Sequence, residues 1–240
     1  SDKTIYPVAS RNTKDFHNLI DVYLDAVFNP LIYSEPLIFM QEGWHYEMNS
    51  PEDDLIINGV VYNEMKGVYS SPDSLLYRYI PSSLLPDTTY GVDSGGDPDE
   101  IPELSYEEFI AFHKKYYHPS NSFIYLYGNG KLEEELRLID EYISKYPKRE
   151  EVLSIPDQKA FNELKEYSIP YTIDEDEEKE GKTYLSLNFA IGTALDTELT
   201  LAFQILTYLL LQNPAAPLKK ALIEADLGKT VIGDFDSSSK

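Results

Sequence analysis

Cysteine does not occur in this chain of 240 residues. Its absence excludes disulfides, thiolate metal sites and a cysteine nucleophile, and leaves histidine and carboxylates as the available metal ligands. Basic residues are scarce beside acidic ones, with 20 Lys and Arg against 42 Asp and Glu and a formal net charge of −22. Nucleic-acid affinity rests on cations that neutralise phosphates, so nucleic acid is excluded as a main partner. The charge fits either a field that attracts basic peptides or a generic acidic surface that aids solubility, and composition leaves both open. Long apolar runs are missing as well. The stretch 199–211 carries Thr200, Gln204 and Thr207 and falls short of the ~18 residues a membrane span needs. It reads as a core helix, and no membrane partner is expected. The first residues show neither a basic flank nor an apolar signal region, and the compartment stays open.

What is present is a chain able to fold. It is 42% hydrophobic and 26% charged, enough for one large core or two modest ones. Residues 4–9 read as a short edge strand containing Pro7. Thr13 is expected to cap a helix in which Phe16, Leu19, Ile20, Tyr23, Leu24, Val27 and Phe28 repeat at i, i+3, i+4 until Asn29-Pro30. A short helix at 34–41 precedes a strand at 44–48, where Trp44, Tyr46 and Met48 alternate with His45 and Glu47. That alternation puts His45 on the solvent side. An acidic turn at 49–54, a strand at 55–57 and a helix begun by Ser71-Pro72-Asp73 and running through Tyr79 flank the central stretch described below. Residues 85–102 are loop. Ser105 and Glu108 have capping-box spacing before a helix carrying Phe109, Ile110, Phe112 and Tyr116. His113 and His118 lie five apart, do not share a helical face as an i, i+4 zinc pair would, and read as structural.

Further on, a strand at 122–127 and an amphipathic helix at 132–146 close a first unit, and the charged, Pro-flanked stretch 147–156 reads as a linker. Beyond it, strands at 164–173 and 183–190 are joined by the acidic run 174–180, a solvated hairpin loop. Asp196 caps a helix to Leu211, and Pro217 opens another that ends by Gly228.

The stretch Gly59-Val60-Val61-Tyr62-Asn63-Glu64-Met65-Lys66-Gly67 carries the sharpest chemistry. At 100° per residue Val61, Met65, Val68 and Tyr69 share one arc, and Glu64 sits at its border beside Val68. A carboxylate aimed partly at a core needs a cation, a metal or a route back to water, since an unpaired buried charge costs several kcal/mol. Geometry alone leaves Glu64 either snorkelling to solvent or liganded. Ser94-Gly95-Gly96-Asp97 reads as a backbone nest or as an ordinary turn.

Taken together with Gln41-Glu42-Gly43-Trp44, Ser94-Gly95-Gly96-Asp97-Pro98 and Tyr117-His118-Pro119-Ser120-Asn121, the stretch 59–67 resembles the presequence-protease branch of the pitrilysin (insulinase) zinc metallopeptidases, which are inverzincins. In that family a helix bearing His-x-x-Glu-His supplies two zinc ligands and the general base, and a Glu on a later helix completes the zinc site. The resemblance makes Glu64 that third ligand. It also exposes a departure: the histidines are His17, His45, His113 and His118, and no His-x-x-Glu-His occurs. In the family the motif lies upstream of the segment matched by residues 1–4, so the chain resembles an internal piece of a larger enzyme.

The resemblance implies an α+β fold, an antiparallel sheet packed with helices. The remainder of a first, catalytic domain is expected at 1–150 and the opening of a second, related one at 151–240. It implies a zinc-dependent endopeptidase acting on unfolded or basic peptides in a closed chamber. Glu64 is then the metal residue, no catalytic residue lies within the chain itself, and no zinc is expected on the isolated piece. The roles of Gly95, Gly96 and Asp97 stay open, as does substrate binding. Exposed apolar surface is expected beside the Glu64 helix, with self-association as one outcome. The rival reading is a non-catalytic relative that uses the same fold as a scaffold or peptide-binding clamp.

Overall fold

The computed structural model describes residues 2–150 and 153–239. Its helices are α1 (Thr13–Phe28), α2 (Pro36–Glu42), α3 (Val60–Val68), α4 (Pro72–Leu84), α5 (Tyr106–Tyr116), α6 (Leu132–Ile143), α7 (Thr197–Thr207) and α8 (Pro217–Glu224). Strands β1 (His45–Glu47) and β2 (Ile56–Asn58) pair antiparallel in the register His45 with Asn58, Tyr46 with Ile57 and Glu47 with Ile56. The class is α+β, with the sheet reduced to this hairpin among the described residues.

Local signals set most helix ends. Asn12, one residue before the expected Thr13, caps α1 by accepting from the Asp15 amide at 3.1 Å. The Ser105 hydroxyl accepts from the Glu108 amide at 3.2 Å, and the Ser105 amide donates back to Glu108 Oε2 at 2.9 Å, so the capping box forms as expected. The Ser105 amide, and its hydroxyl donating to the same Oε2 at 2.7 Å, hold the Glu108 carboxyl below its usual range. Helix α4 runs past the expected Tyr79 to Leu84 with Pro81 inside it. A π-helix at Tyr208–Gln212 extends α7.

The first 150 residues gather around three contacts. Helices α1 and α6 lie together: Tyr142 donates to Asp21 Oδ1 at 2.5 Å, and Tyr146 donates to the Phe28 carbonyl at 2.9 Å. Asp21, by accepting from Tyr142, pushes that phenol up to about 12. Helix α2 meets α5 through Phe39, which is buried 5.3 Å from the Phe109 ring. His113 on α5 ties α1 to this pair, its Nε2 donating to the Val27 carbonyl at 3.1 Å and its Nδ1 accepting from Tyr33 at 2.6 Å. His118 is buried against Tyr146, and its Nδ1 accepts from the Ser120 amide at 3.1 Å. Both rings are structural, as their spacing suggested.

Four of the expected strands do not form. Residues 4–9, 122–127, 164–173 and 183–190 form no helix and have no ladder partner among the described residues. The reason is physical: β-prone composition favours an extended backbone, but a strand exists only when a neighbour supplies the opposite row of amides and carbonyls. The arms of the 164–190 hairpin do meet, Tyr171 packing edge-on to Tyr184 at 5.8 Å, with a turn at Asp174 closing the loop. Large apolar residues of these unpaired stretches face outward: Leu185 in the hairpin is 93% exposed and Phe123 in 122–127 is 89% exposed. The face of β1 is also inverted. Tyr46 is 62% exposed while His45 and Glu47 are half-buried, because His45 Nδ1 bonds the Met40 carbonyl at 2.7 Å and Glu47 accepts from Asn58. The expected linker at 147–156 includes residues 151 and 152, which lie outside the described residues. The described remainder holds no helix or strand.

The surface area is large for the mass. The chain exposes 18696 Å² at 27.5 kDa, where a compact monomer of that size exposes roughly 11,000 Å². No helix among the described residues is long and apolar enough to cross a membrane.

Burial holds His113 below the usual histidine value, and burial together with Arg149 does the same at His118. Below a pH of about 6.5 the unfolded chain binds protons that these folded rings refuse. Their contribution to stability is therefore complete above that pH and lost as pH falls through the lowered folded values. Denaturation midpoints between pH 7.5 and 5.5 are expected to decline, and the His113→Gln/His118→Gln double variant should flatten the slope; a wild-type profile rising toward acid contradicts this.

Candidate functional site

Helix α3 is fixed at both ends. At its start, a Cβ on Gly59 would lie 2.2 Å from the Gly43 carbonyl oxygen and 2.7 Å from Trp44 Cα, so only glycine allows β2 to turn into the helix here. The Asn58 side-chain oxygen accepts from the Gly59 amide at 2.8 Å and from Asn63 Nδ2 at 2.5 Å, while its Nδ2 donates to Glu47. The Tyr62 amide reaches the Gly43 carbonyl at 3.3 Å. The helix entrance is thus tied to α2 and to the hairpin.

At the other end Tyr69, the C-cap, donates to Asp93 Oδ2 at 3.3 Å. The same oxygen pairs with the Arg78 guanidinium from α4, which also lies over the Tyr69 ring at 5.4 Å from its centroid. Burial first, then the charge of Asp97, raises the Tyr69 phenol above its usual value. Asp93 Oδ1 accepts from the Gly95 amide at 2.9 Å, and the Asp93 carbonyl accepts from the Gly96 amide at 3.2 Å. The two amides that a nest would offer to an anion are therefore taken by Asp93. Gly96 has φ +93, and Asp97 Oδ1 accepts from the Asp99 amide at 2.9 Å, so the run continues as a second turn. A Cβ on Gly95 would stand 2.5 Å from Met65 Sδ. The loop rests directly on the one buried side chain of α3, which is 4% exposed.

Glu64, next in the chain to Met65, is exposed and has no hydrogen bond or ion pair among the described residues. Its own helix offers none: the positions three and four away are Val60, Val61, Gly67 and Val68. Val60 is 53% exposed and Val61 is exposed too, so of the arc read from the sequence only Met65 is buried. The carboxylate stands in an apolar collar without a counter-charge. An exposed, unengaged carboxylate on a fixed helix suits one oxygen ligand of a zinc or another hard cation. It cannot make a metal site alone, and among the described residues no three His, Asp or Glu side chains come together to complete one. His45, His113 and His118 are engaged elsewhere.

The sequence profile of the "Peptidase M16 inactive domain" matches residues 103–240. The chain belongs to the M16 peptidase family. Within it the relatives point to the presequence-protease branch, as the motifs suggested. The chain is 47% identical over 234 residues to "Presequence protease 1, chloroplastic/mitochondrial" of Arabidopsis thaliana and 41% identical over 233 residues to "Presequence protease, mitochondrial" of Xenopus laevis. "Protein HypA" of Clostridium perfringens is 62% identical over 240 residues. These alignments cover 96%, 95% and 100% of the chain but 22%, 22% and 25% of the relatives. The chain thus spans about a quarter of the length of the curated relatives it matches. Glu64 and the Asp93 loop precede the profile-matched stretch and lie within the span shared with the clostridial protein.

The Arg78, Asp93 and Tyr69 cluster was not foreseen from the sequence. Its one legible trace was Asp93 two residues before Gly95, the spacing of an Asx turn. The side chains of Arg78 and Asp93 are 28% and 12% exposed, so hydrogen bonds to the charge there should each contribute about 1.5–3 kcal/mol. The Lys131–Glu134 pair is 71% and 43% exposed, where such a pair contributes about 0.5 kcal/mol or less. Asp93→Ala, which removes three such bonds, is expected to lower stability by at least about 2 kcal/mol and Lys131→Ala by a small fraction of that. Urea titrations of both variants check it, and equal losses would show that the cluster holds nothing.

Proposed function

We propose that this chain is a segment of a zinc-dependent endopeptidase that degrades unfolded peptides, with Glu64 as the third protein ligand of its zinc. The observation that carries the reading is Glu64 itself: an unpaired carboxylate set in the apolar collar of Val60, Val61 and Val68, on a helix fixed at both ends. A bound zinc supplies Lewis-acid polarisation of a scissile carbonyl and a water of lowered pKa. The part played by this chain is narrower. Glu64 provides a fixed negative charge at a set height on α3, and the Gly59 and Asp93 anchors keep that helix from yielding. The net charge of −22 favours peptides carrying basic residues.

The whole reaction needs groups beyond this chain. Two further ligands and a general base are expected from a His-x-x-Glu-His helix elsewhere in the full-length protein, which encloses the substrate in a chamber. The exposed apolar rows at Phe123 and Leu185, and a surface well above that of a compact monomer, support a segment made to be covered by more protein. The printed names of the plant and frog relatives, presequence proteases, support peptide substrates. A second reading, a scaffold or peptide clamp without chemistry, draws support from the profile described as an inactive domain over residues 103–240.

The two readings separate by metal. In the full-length protein Glu64→Gln keeps volume and removes charge, and is expected to abolish most zinc affinity and peptide hydrolysis while leaving the thermal midpoint in place. Full zinc with near-normal turnover in that variant would rule Glu64 out as a ligand; a wild type without zinc or hydrolysis would favour the clamp. The isolated chain, dialysed and assayed by elemental analysis, is expected to retain far less than one zinc per molecule, since one carboxylate is an incomplete site.

A further inference from the structure

We infer that the loop of Asp93 and Gly95 is a positioning device for Glu64, acting through Met65. The inference rests on the reading of Glu64 as a metal ligand and adds to it the means by which that ligand is held. Three observations meet here. Met65 is the single buried side chain of α3, so it fixes the rotation of the helix about its axis, and with it the direction of the adjacent Glu64. Gly95 lies so close that a Cβ there would stand 2.5 Å from Met65 Sδ and 2.9 Å from its Cε, closer than any ordinary carbon contact, so the loop backbone forms the floor on which Met65 sits. The loop in turn is held by Asp93, which takes the Gly95 and Gly96 amides while its other oxygen binds Arg78 of α4 and Tyr69 at the end of α3. The chain of contact runs from α4 through Asp93 and Gly95 to Met65, and returns to α3 at Tyr69.

This closed circuit accounts for the chemistry of each member. Aspartate is needed because one carboxylate must accept from the loop amide and oppose a guanidinium at the same time. Glycine at 95 leaves room for the Met65 thioether against the loop backbone, and its amide is engaged by Asp93 rather than open to an anion. Methionine at 65 is flexible and polarizable, and it conforms to a flat backbone surface where a branched side chain would not. A carboxylate ligand displaced by a fraction of an ångström loses coordination geometry, and supports of metal ligands typically change affinity by ~10–100-fold when removed.

The test uses the full-length peptidase, with the zinc dissociation constant measured by chelator competition alongside kcat, KM and thermal midpoint. Glu64→Gln is measured first. Gly95→Val drives bulk against Met65 and is expected to weaken zinc by ~10-fold or more, with kcat of the zinc-depleted preparation falling and KM unchanged. The Gly95→Val/Met65→Ala double variant refills the Met65 space from the loop side and is expected to bind zinc more tightly than either single variant, a rescue that two independent destabilising changes would not show. Asp93→Asn and Met65→Ala remove support without adding bulk, and carry the same test if Gly95→Val does not fold; each should weaken zinc by more than its thermal midpoint shift explains. If Glu64→Gln loses zinc while Gly95→Val, Asp93→Asn and Met65→Ala all bind it like wild type, the positioning inference is wrong and the ligand reading stands. If Glu64→Gln keeps zinc, both are wrong.

Discussion

The seating of α3 depends on how little of it is buried. A surface helix normally commits a stripe about 100° wide to the core, but α3 commits Met65 alone. With one side chain to define its seat, the helix is held instead by backbone and polar contacts at its ends. The Gly59 backbone lies against Gly43 and Trp44, Asn58 bridges Asn63 and Glu47, and Tyr69 is fastened to Asp93. Burial of a methionine contributes about 1.5–3 kcal/mol, and each bond to the Asp93 charge is of similar size. Neither alone would hold a helix of two and a half turns; together they hold it without closing the face on which Glu64 stands.

The remainder of the molecule shows the same economy of burial. Its buried apolar residues are scattered as Ile20, Phe28, Phe39, Met65, Tyr90, Ile139 and Ala216 rather than gathered at one centre. Several contacts between segments are instead made by phenol or imidazole bonds to backbone carbonyls, as with Tyr146 to Phe28, His113 to Val27 and Tyr106 to Ile32. Arg149 fastens the stretch after α6 by donating to the Lys114 and Lys115 carbonyls at the close of α5, where the helix dipole favours a cation. Such joints are directional, so they set the angles between helices even where apolar contact is thin.

Helix ends and types were legible in the sequence because their causes are local. The reciprocal Ser105 and Glu108 bonds need only a three-residue spacing, and the shift of the α1 cap from Thr13 to Asn12 exchanges one suitable residue for its neighbour. Strands were legible as composition and failed as pairing, because the partner of 122–127 or 183–190 is a non-local quantity that no window of sequence contains. Tyr46 shows a finer limit: period-2 alternation fixes that two faces differ, but which one is covered depends on bonds such as His45 to Met40. At the site, Glu64 was singled out through its motif and its place at the border of the helical arc, and the structure leaves it exposed. The support from Arg78 and Asp93 was not found, since residues 15 apart in sequence carry no periodic signal. Gly95 was noticed for its type, and its function in the fold proved to be its small size beside Met65.

The surroundings of Glu64 make cover and cation interdependent. While Val60 and Val61 stay exposed, water solvates the carboxylate and no counter-charge is required. Any protein layer placed over that collar gains free energy from the valines and removes the same water from the carboxylate. An unpaired charge so desolvated opposes the docking by several kcal/mol, and a bound divalent cation reverses the sign of that term. A layer covering the collar and a divalent ion at Glu64 would therefore strengthen one another by equal amounts, as linkage requires of two ligands on one site. An apolar collar around a lone carboxylate would be a poor choice for a solvent-facing helix, where a lysine at i+4 would serve better. It suits the proposed role of Glu64, in which the carboxylate is desolvated only together with a cation.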